Sequence, residues 1–199
     1  MRTSVENRRA ALVEAAVRVV SARGLSAAST RAIVAEAGMS LASFHYAFES
    51  RDELLDLLIT EVLAKEEKAV LPDRLEGRTI AELLHAGLSG YLDHLRTDPA
   101  HEQAMLELTQ FAVRARPELA REQYSQYTRI ATAALELAAH HTGSRWTVPV
   151  PTAARLLISF TDGITLTWLV DRDDDLAESV VAAAATALSE LTVPAGGPD

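Results

Sequence analysis

The chain has no cysteine, which excludes disulfides, thiolate metal sites and a cysteine nucleophile. Its N-terminus, Met1-Arg2-Thr3-Ser4-Val5-Glu6, lacks the apolar run of a signal peptide. The most apolar stretch, Leu156 to Val170, is interrupted by Asp162 and Gly163 and is too short and too polar for a bilayer. Both absences point to a cytoplasmic protein without a membrane partner. The six histidines do not supply the i, i+4 spacing that brings two ligands to one helix face. His85 and His94 are far apart, His94 and His101 flank Pro99, and His140 and His141 diverge, so neither a metal nor a cofactor is expected. The run Asp171-Arg172-Asp173-Asp174-Asp175 lacks the rest of a calcium loop. It reads as a turn between helices whose acids favour the start of the last one. No glycine-rich phosphate loop, nucleophile elbow or carboxylate paired with histidine is present, so no enzymatic reaction is expected.

The 48% hydrophobic and 24% charged content is that of a globular protein with ample core material. The net charge of -9 disfavours nucleic acid until the chain is divided. Residues 1–51 hold seven arginines and four glutamates, a net +3, and the remainder holds 12 basic and 24 acidic residues, a net -12. A basic head on an acidic body suits a nucleic-acid partner.

Apolar periodicity predicts helices throughout, with proline and glycine between them. They are expected over 4–22, from Ser29 or Thr30 to Gly38, over 41–47, from Ser50 to about Val70, and over 79–97, 100–115, 117–141, 152–170 and 174–191. A short strand is expected at Trp146-Thr147-Val148. Gly24 reads as a left-handed stop to the first helix. Ser50-Arg51-Asp52-Glu53 reads as a capping box opening the fourth. The fold class is therefore all-α, with nine helices. The expected division is a head at 1–50, a body at 51–192 and a disordered tail at 193–199.

The informative stretch is Thr30 to Leu54. A short helix, a tight turn at Gly38-Met39-Ser40 and a second short helix capped by Ser40 make a helix-turn-helix. Ile33, Ala37, Met39 and Phe44 supply the apolar contacts between the two helices. The second helix can then offer Leu41, Ala42, Ser43, His45 and Tyr46 to base edges in a major groove.

Thr30-Arg31-Ala32-Ile33-Val34-Ala35-Glu36-Ala37-Gly38-Met39-Ser40, Phe44-His45-Tyr46-Ala47-Phe48 and Ser50-Arg51-Asp52-Glu53-Leu54-Leu55 together resemble the DNA-binding signature of the tetracycline-repressor (TetR) family. The resemblance implies a double-stranded DNA operator contacted by Arg31, Ser40, Leu41, Ala42, Ser43, His45, Tyr46 and Arg51. Arg51 is a cation in the first turn of a helix, where acids are favoured, and it matches the basic residue with which the family holds a phosphate. His45 and Ala47 depart from the family's tyrosine and histidine, Ala42 from its glycine and Val34 from its alanine, so the operator preference is this chain's own.

The resemblance further implies a small-molecule effector bound in the body and release of a repressor from DNA. Tyr91, Met105, Phe111, Tyr124, Tyr127, Phe160 and Trp168 are the candidate ligand residues, each of which could equally pack a core. Few convergent charges accompany them, which suits a mostly apolar effector. Leu176, Val180, Val181, Ala184, Ala187, Leu188 and Leu191 form an aliphatic stripe. With helix 152–170, that stripe either closes the core or makes a homodimer. The competing readings are an all-helical enzyme or ligand carrier, and a DNA-binding factor without an effector.

Overall fold

A computed structural model describes residues 5–65 and 77–196. Among these residues nine α-helices occur: α1 (Val5–Arg23), α2 (Thr30–Glu36), α3 (Leu41–Ala47), α4 (Arg51–Lys65), α5 (Ile80–Thr97), α6 (Pro99–Ala115), α7 (Pro117–Thr142), α8 (Val150–Asp171) and α9 (Asp174–Ser189). A 3-10 turn, Leu25–Ala27, joins α1 to α2, and two short strands follow, β1 (Ser144–Trp146) and β2 (Thr192–Pro194). Every described helix end lies within two residues of its expected place. The expected extension of α4 to Val70 and the loop from Pro72 lie outside the described residues.

The caps explain this agreement. Ser29, Ser40, Asp98 and Asp173 each accept an amide N–H from the first turn of α2, α3, α6 and α9, at 3.2, 3.2, 3.0 and 2.9 Å. Each satisfies a donor that the helix itself leaves unpaired. At α4, Ser50 accepts the Glu53 N–H at 3.1 Å. Glu53 reaches back one residue further than a capping box requires, to the Glu49 N–H at 2.7 Å.

The described residues form two compact units. The first holds α1 to α4, α6 and the start of α7 through Gln123; the second holds α5, α7 from Tyr124, α8, α9 and both strands. Each unit draws on two separate stretches of the chain. Burial follows helix faces rather than sequence order: α6 buries Ala104, Met105, Leu108 and Ala112 and packs on α1 and the 3-10 turn. The core of the second unit sets Leu88, Leu92 and Leu95 of α5 beside Val181, Ala184 and Leu188 of α9.

Two expectations of extent are corrected. Val193 and Pro194, assigned to a disordered tail, belong to β2, which pairs antiparallel with β1 so that Arg145 faces Val193 and Trp146 faces Thr192. The Ala195 N–H also donates to the Gly143 carbonyl at 2.8 Å, while residues 197–199 lie outside the described residues. The expected strand 146–148 starts two residues earlier, at Ser144. The helix α8 has 22 residues and is, by length and composition, apolar enough to cross a membrane. Its Ala153, Ala154, Leu157, Ile158, Ile164 and Trp168 are nevertheless buried in the core of the second unit.

The aliphatic stripe of α9 resolves into two faces. Val181 is 1% exposed and Leu188 0%, in the core, whereas Leu176 is 54% exposed and Val180 is exposed too. The two adjacent valines, about 100° apart on the helix, fall on either side of the boundary between the core face and the open one, Val181 inside and Val180 outside.

Gly24 has φ 79° and ψ 163°. The positive φ was expected, but ψ is extended because the chain enters the 3-10 turn at once. Only glycine takes this conformation readily, and a Cβ here would stand 3.2 Å from both carboxylate oxygens of Glu107. Gly24→Ala is predicted to destabilise the chain by about 1–3 kcal/mol, measured as a lower urea midpoint with an unchanged slope. An unchanged midpoint would show that the turn relaxes freely.

Candidate nucleic-acid interface

The turn between α2 and α3 closes by two backbone bonds. The Met39 N–H donates to the Val34 carbonyl at 2.8 Å and the Gly38 N–H to that of Ala35 at 3.2 Å, with Gly38 at φ 63°. This is a Schellman closure, in which a left-handed glycine lets the chain reverse. Ile33, Val34 and Phe44 are buried beneath it. The opposite side of α3 is open: Leu41, Ala42, His45 and Tyr46 are exposed, Tyr46 at 65%. The partly buried Ser43 has its hydroxyl 3.0 Å from that of Ser40, whose oxygen also caps the helix. Arg31 is exposed in the first turn of α2. The structure thus gathers Leu41, Ala42, His45 and Tyr46 on one surface, with Ser43 at its edge, and gives Ser40 a structural task.

Arg9 of α1 holds this surface in place. Its guanidinium lies 4.2 Å from the Phe48 ring centroid, donates to the Ala47 carbonyl at 2.6 Å and pairs with Glu53 of α4 at 2.9 Å. The Glu49 amide, and then Arg9, hold the Glu53 carboxyl below its ordinary range. Arg18 of α1 pairs with Glu36 of α2 at 2.8 Å, and the Arg8 guanidinium lies 5.1 Å over the Tyr46 ring. Arg51, expected at a phosphate, donates from Nε to the Ala28 carbonyl at 2.6 Å and from Nη2 to the Leu25 carbonyl at 2.8 Å. At the end of α6, Arg116 pairs with Asp52 at 3.0 Å and Asp56 at 3.2 Å. The Asp56 hydrogen bond, chiefly, raises its already high pKa.

The candidate ligand residues divide between the units. Met105, which is buried, and Phe111 belong to the first; Tyr91, Tyr124, Tyr127, Phe160 and Trp168 belong to the second. Trp168 is buried and its indole N–H donates to Asp174 at 2.8 Å, so it is a core residue that needs no ligand acceptor. The Tyr91 hydroxyl meets that of the buried Thr165. Tyr124 and Tyr127 of α7 meet edge to face at 5.6 Å. The Tyr124 hydroxyl donates to Asp162 of α8 at 3.0 Å, and Arg155 lies 5.7 Å from the Tyr124 ring centroid. Burial, reinforced by the Asp162 charge, pushes the Tyr124 phenol up to about 12. Desolvation likewise raises the Asp162 carboxyl, opposed by the Tyr124 hydrogen bond and by Arg155.

Residues 12–58 match the model of the bacterial regulatory proteins of the tetR family. Over 91% of this chain and 95% of the relative, the sequence is 30% identical to the HTH-type nicotine-responsive transcriptional repressor HdnoR of Paenarthrobacter nicotinovorans. The chain belongs to the TetR family. Its fold is similar to that of the multidrug binding protein EbrR complexed with imidazole, at TM-score 0.64 and 27% identity over 89% of this chain and 94% of the other. It is also similar to the regulator FadR from Bacillus subtilis in complex with stearoyl-CoA, at TM-score 0.68 and 18% identity over 90% and 96% of the two chains.

As a TetR-family protein the chain is a DNA-binding transcriptional regulator. Sequence reasoning missed Arg9, Glu107 and Arg116, whose partners lie 38 to 82 positions away and leave no local pattern. Arg9→Ala is predicted to cost about 1–2 kcal/mol, since its charged hydrogen bond is only partly screened from water. Urea unfolding measures it, and a cost no larger than that of Arg23→Ala would remove Arg9 from this role. Asp162 yields a prediction of its own. A carboxyl raised in the folded state favours folding while protonated and loses that contribution as pH rises through its folded value. Asp162→Asn should therefore raise the melting temperature at pH 7, with the gain vanishing near pH 3. A gain equal at both pH values would show that the Asp162 charge is not the cause.

Proposed function

We propose that this chain is a homodimeric repressor that leaves its operator when a small, mostly apolar molecule binds the helical body that follows the head. The observation that carries the reading is the surface of α3. Leu41, Ala42, His45 and Tyr46 are exposed together on a helix whose other side is buried and whose neighbours are pinned by Arg9 and Arg18. Such a surface suits base edges, with Ser43 and Arg31 beside it. Arg51 and Ser40 serve it from behind. The protein acts in the cytoplasm, and the reading assigns it no reaction.

The dimer is proposed from a second surface. On α8, Leu156, Ser159, Gly163, Leu166 and Val170 are all exposed, as are Leu176, Val180, Ala183 and Ala187 on α9. Both series alternate steps of three and four, the spacing of a helix-packing seam. Leu166 is 56% exposed and Val170 78%, and a Cβ at Gly163 would meet nothing within 4 Å. A second copy would cover this face and set two heads about 34–36 Å apart, or a multiple, for successive grooves. Leu166→Glu and Val180→Glu are predicted to give folded monomers with weak operator binding. Wild-type protein that sediments as a monomer at micromolar concentration with operator binding intact would end the dimer proposal.

HdnoR is named for its response to nicotine, EbrR is complexed with imidazole and FadR with stearoyl-CoA. Nicotine, with two nitrogens on an otherwise hydrocarbon frame, supports an effector of largely apolar character fixed by few polar atoms, for which Tyr124, Tyr127 and Asp162 offer rings, a hydroxyl and a carboxylate. A coupling of about 1–3 kcal/mol would change operator affinity roughly 5–150-fold. The test titrates small-molecule candidates against protein bound to the DNA upstream of its own gene, following tryptophan fluorescence and DNA release together. Stoichiometric binding without release would remove a compound as inducer. Release by none of the compounds that bind would favour an effector-free factor.

A further inference from the structure

The backbone of Leu25 is gripped on both sides. Its N–H donates to the carboxylate of Glu107 on α6, and its carbonyl accepts from Arg51 of α4 at 2.8 Å. Arg51 also takes the Ala28 carbonyl, at 2.6 Å. The 3-10 turn between α1 and α2 is thus held between an acid from one helix and a base from another. The approach is close: the Gly24 Cα–H points to where a Cβ would crowd both Glu107 oxygens at 3.2 Å. These peptide groups lie where a helix ends and a 3-10 turn begins, so several lack a regular helical partner. A charged partner holds such a group about twice as strongly as a neutral one. The same helix α6 also reaches α4 through Arg116, on Asp52 and Asp56.

We propose that Glu107 is a positioning residue for DNA binding. Through Leu25 and Arg51 it fixes the turn that sets α2, and hence α3, so operator affinity depends on a side chain of α6, outside the helix-turn-helix. Arg51 then acts on DNA chiefly through the two carbonyls it holds rather than as a phosphate ligand. The inference rests on the chain being a DNA-binding regulator, since a positioning residue needs a binding event to position.

The test uses the full-length protein and two labelled duplexes, one from the DNA upstream of its own gene and one of mixed sequence. Affinities are measured by anisotropy over a series of salt concentrations, with circular dichroism confirming the fold and amide NMR following Leu25. Glu107→Ala and Arg51→Ala are each expected to weaken binding to the upstream duplex about tenfold, the scale of one hydrogen bond to a charged group. Their salt slopes should match that of the wild type, and the double variant should bind no worse than the weaker single one. Glu107→Gln, which keeps an acceptor for the Leu25 N–H, should recover most of the affinity and the Leu25 amide shift. If Glu107→Ala does not fold, Glu107→Asp, one methylene shorter, should weaken binding with the salt slope unchanged. Wild-type affinity in a folded Glu107→Ala or Glu107→Asp variant would overturn the proposal. So would a slope reduced by about 1 per subunit in Arg51→Ala, the signature of a lost phosphate contact. Failure of the wild type on both duplexes would instead bring down the DNA-binding reading itself, and this inference with it.

Discussion

The recognition surface depends on where the end of α3 is tied, and Arg9 ties it. A seven-residue helix has too few internal hydrogen bonds to define its own direction. One guanidinium here stacks on Phe48, takes the Ala47 carbonyl at the helix end and pairs with Glu53 at the start of α4. Three elements meet at one rigid planar cation, whose fixed donor fork allows little variation in their angles. Phe44 and Phe48, 5.6 Å apart beneath it, supply the apolar bed. The exposed face of α3 is a consequence: once Phe44 and Ala47 point inward, Ala42, His45 and Tyr46 have to point out, with Leu41 on the flank.

From that knot the rest of the first unit follows by burial. The buried side of α1, Leu12, Ala15, Ala16 and Val19, is longer than α2 and α3 can cover. The helix α6 covers it as well, with Leu108 and Ala112 buried to 2% and 0%. An element more than forty residues further along the chain thereby becomes part of the DNA-binding unit. The polar contacts of Glu107 and Arg116 sharpen an arrangement that apolar packing sets.

What could be read from the sequence was whatever a short window encodes. Caps, the glycine turn at Gly38 and the periodicity of each helix are fixed by residues a few positions apart, and those elements were placed within two residues. The exposed residues of α3 were legible for the same reason. Long-range partners were not. Nothing near Arg51 announces that it will hold the carbonyls of Leu25 and Ala28. Nothing near Val193 announces Arg145, so the strand looked like a tail. On α9 the periodicity was visible, but valines at 180 and 181 and alanines at 183 and 184 fill adjacent positions. The pattern alone could not separate a core face from an outer one, and α5 decides that by packing on Val181.

The charge of the head shows how such partners alter a sequence-level argument. Seven arginines in the first 51 residues suggested a basic surface. Arg9 and Arg18 pair with Glu53 and Glu36, and Arg51 lies against backbone carbonyls. Ion pairing leaves the net charge unchanged but shortens the reach of each cation, since a paired charge presents a dipole to anything further away. The head's attraction for a phosphate backbone is therefore weaker than its arginine count implies. A surface with modest long-range attraction depends more on its short-range contacts, and those depend on geometry. That raises the demand on positioning. It explains why so many of the head's arginines are spent on fixing helices, and why an acid as distant in sequence as Glu107 can belong to the same task.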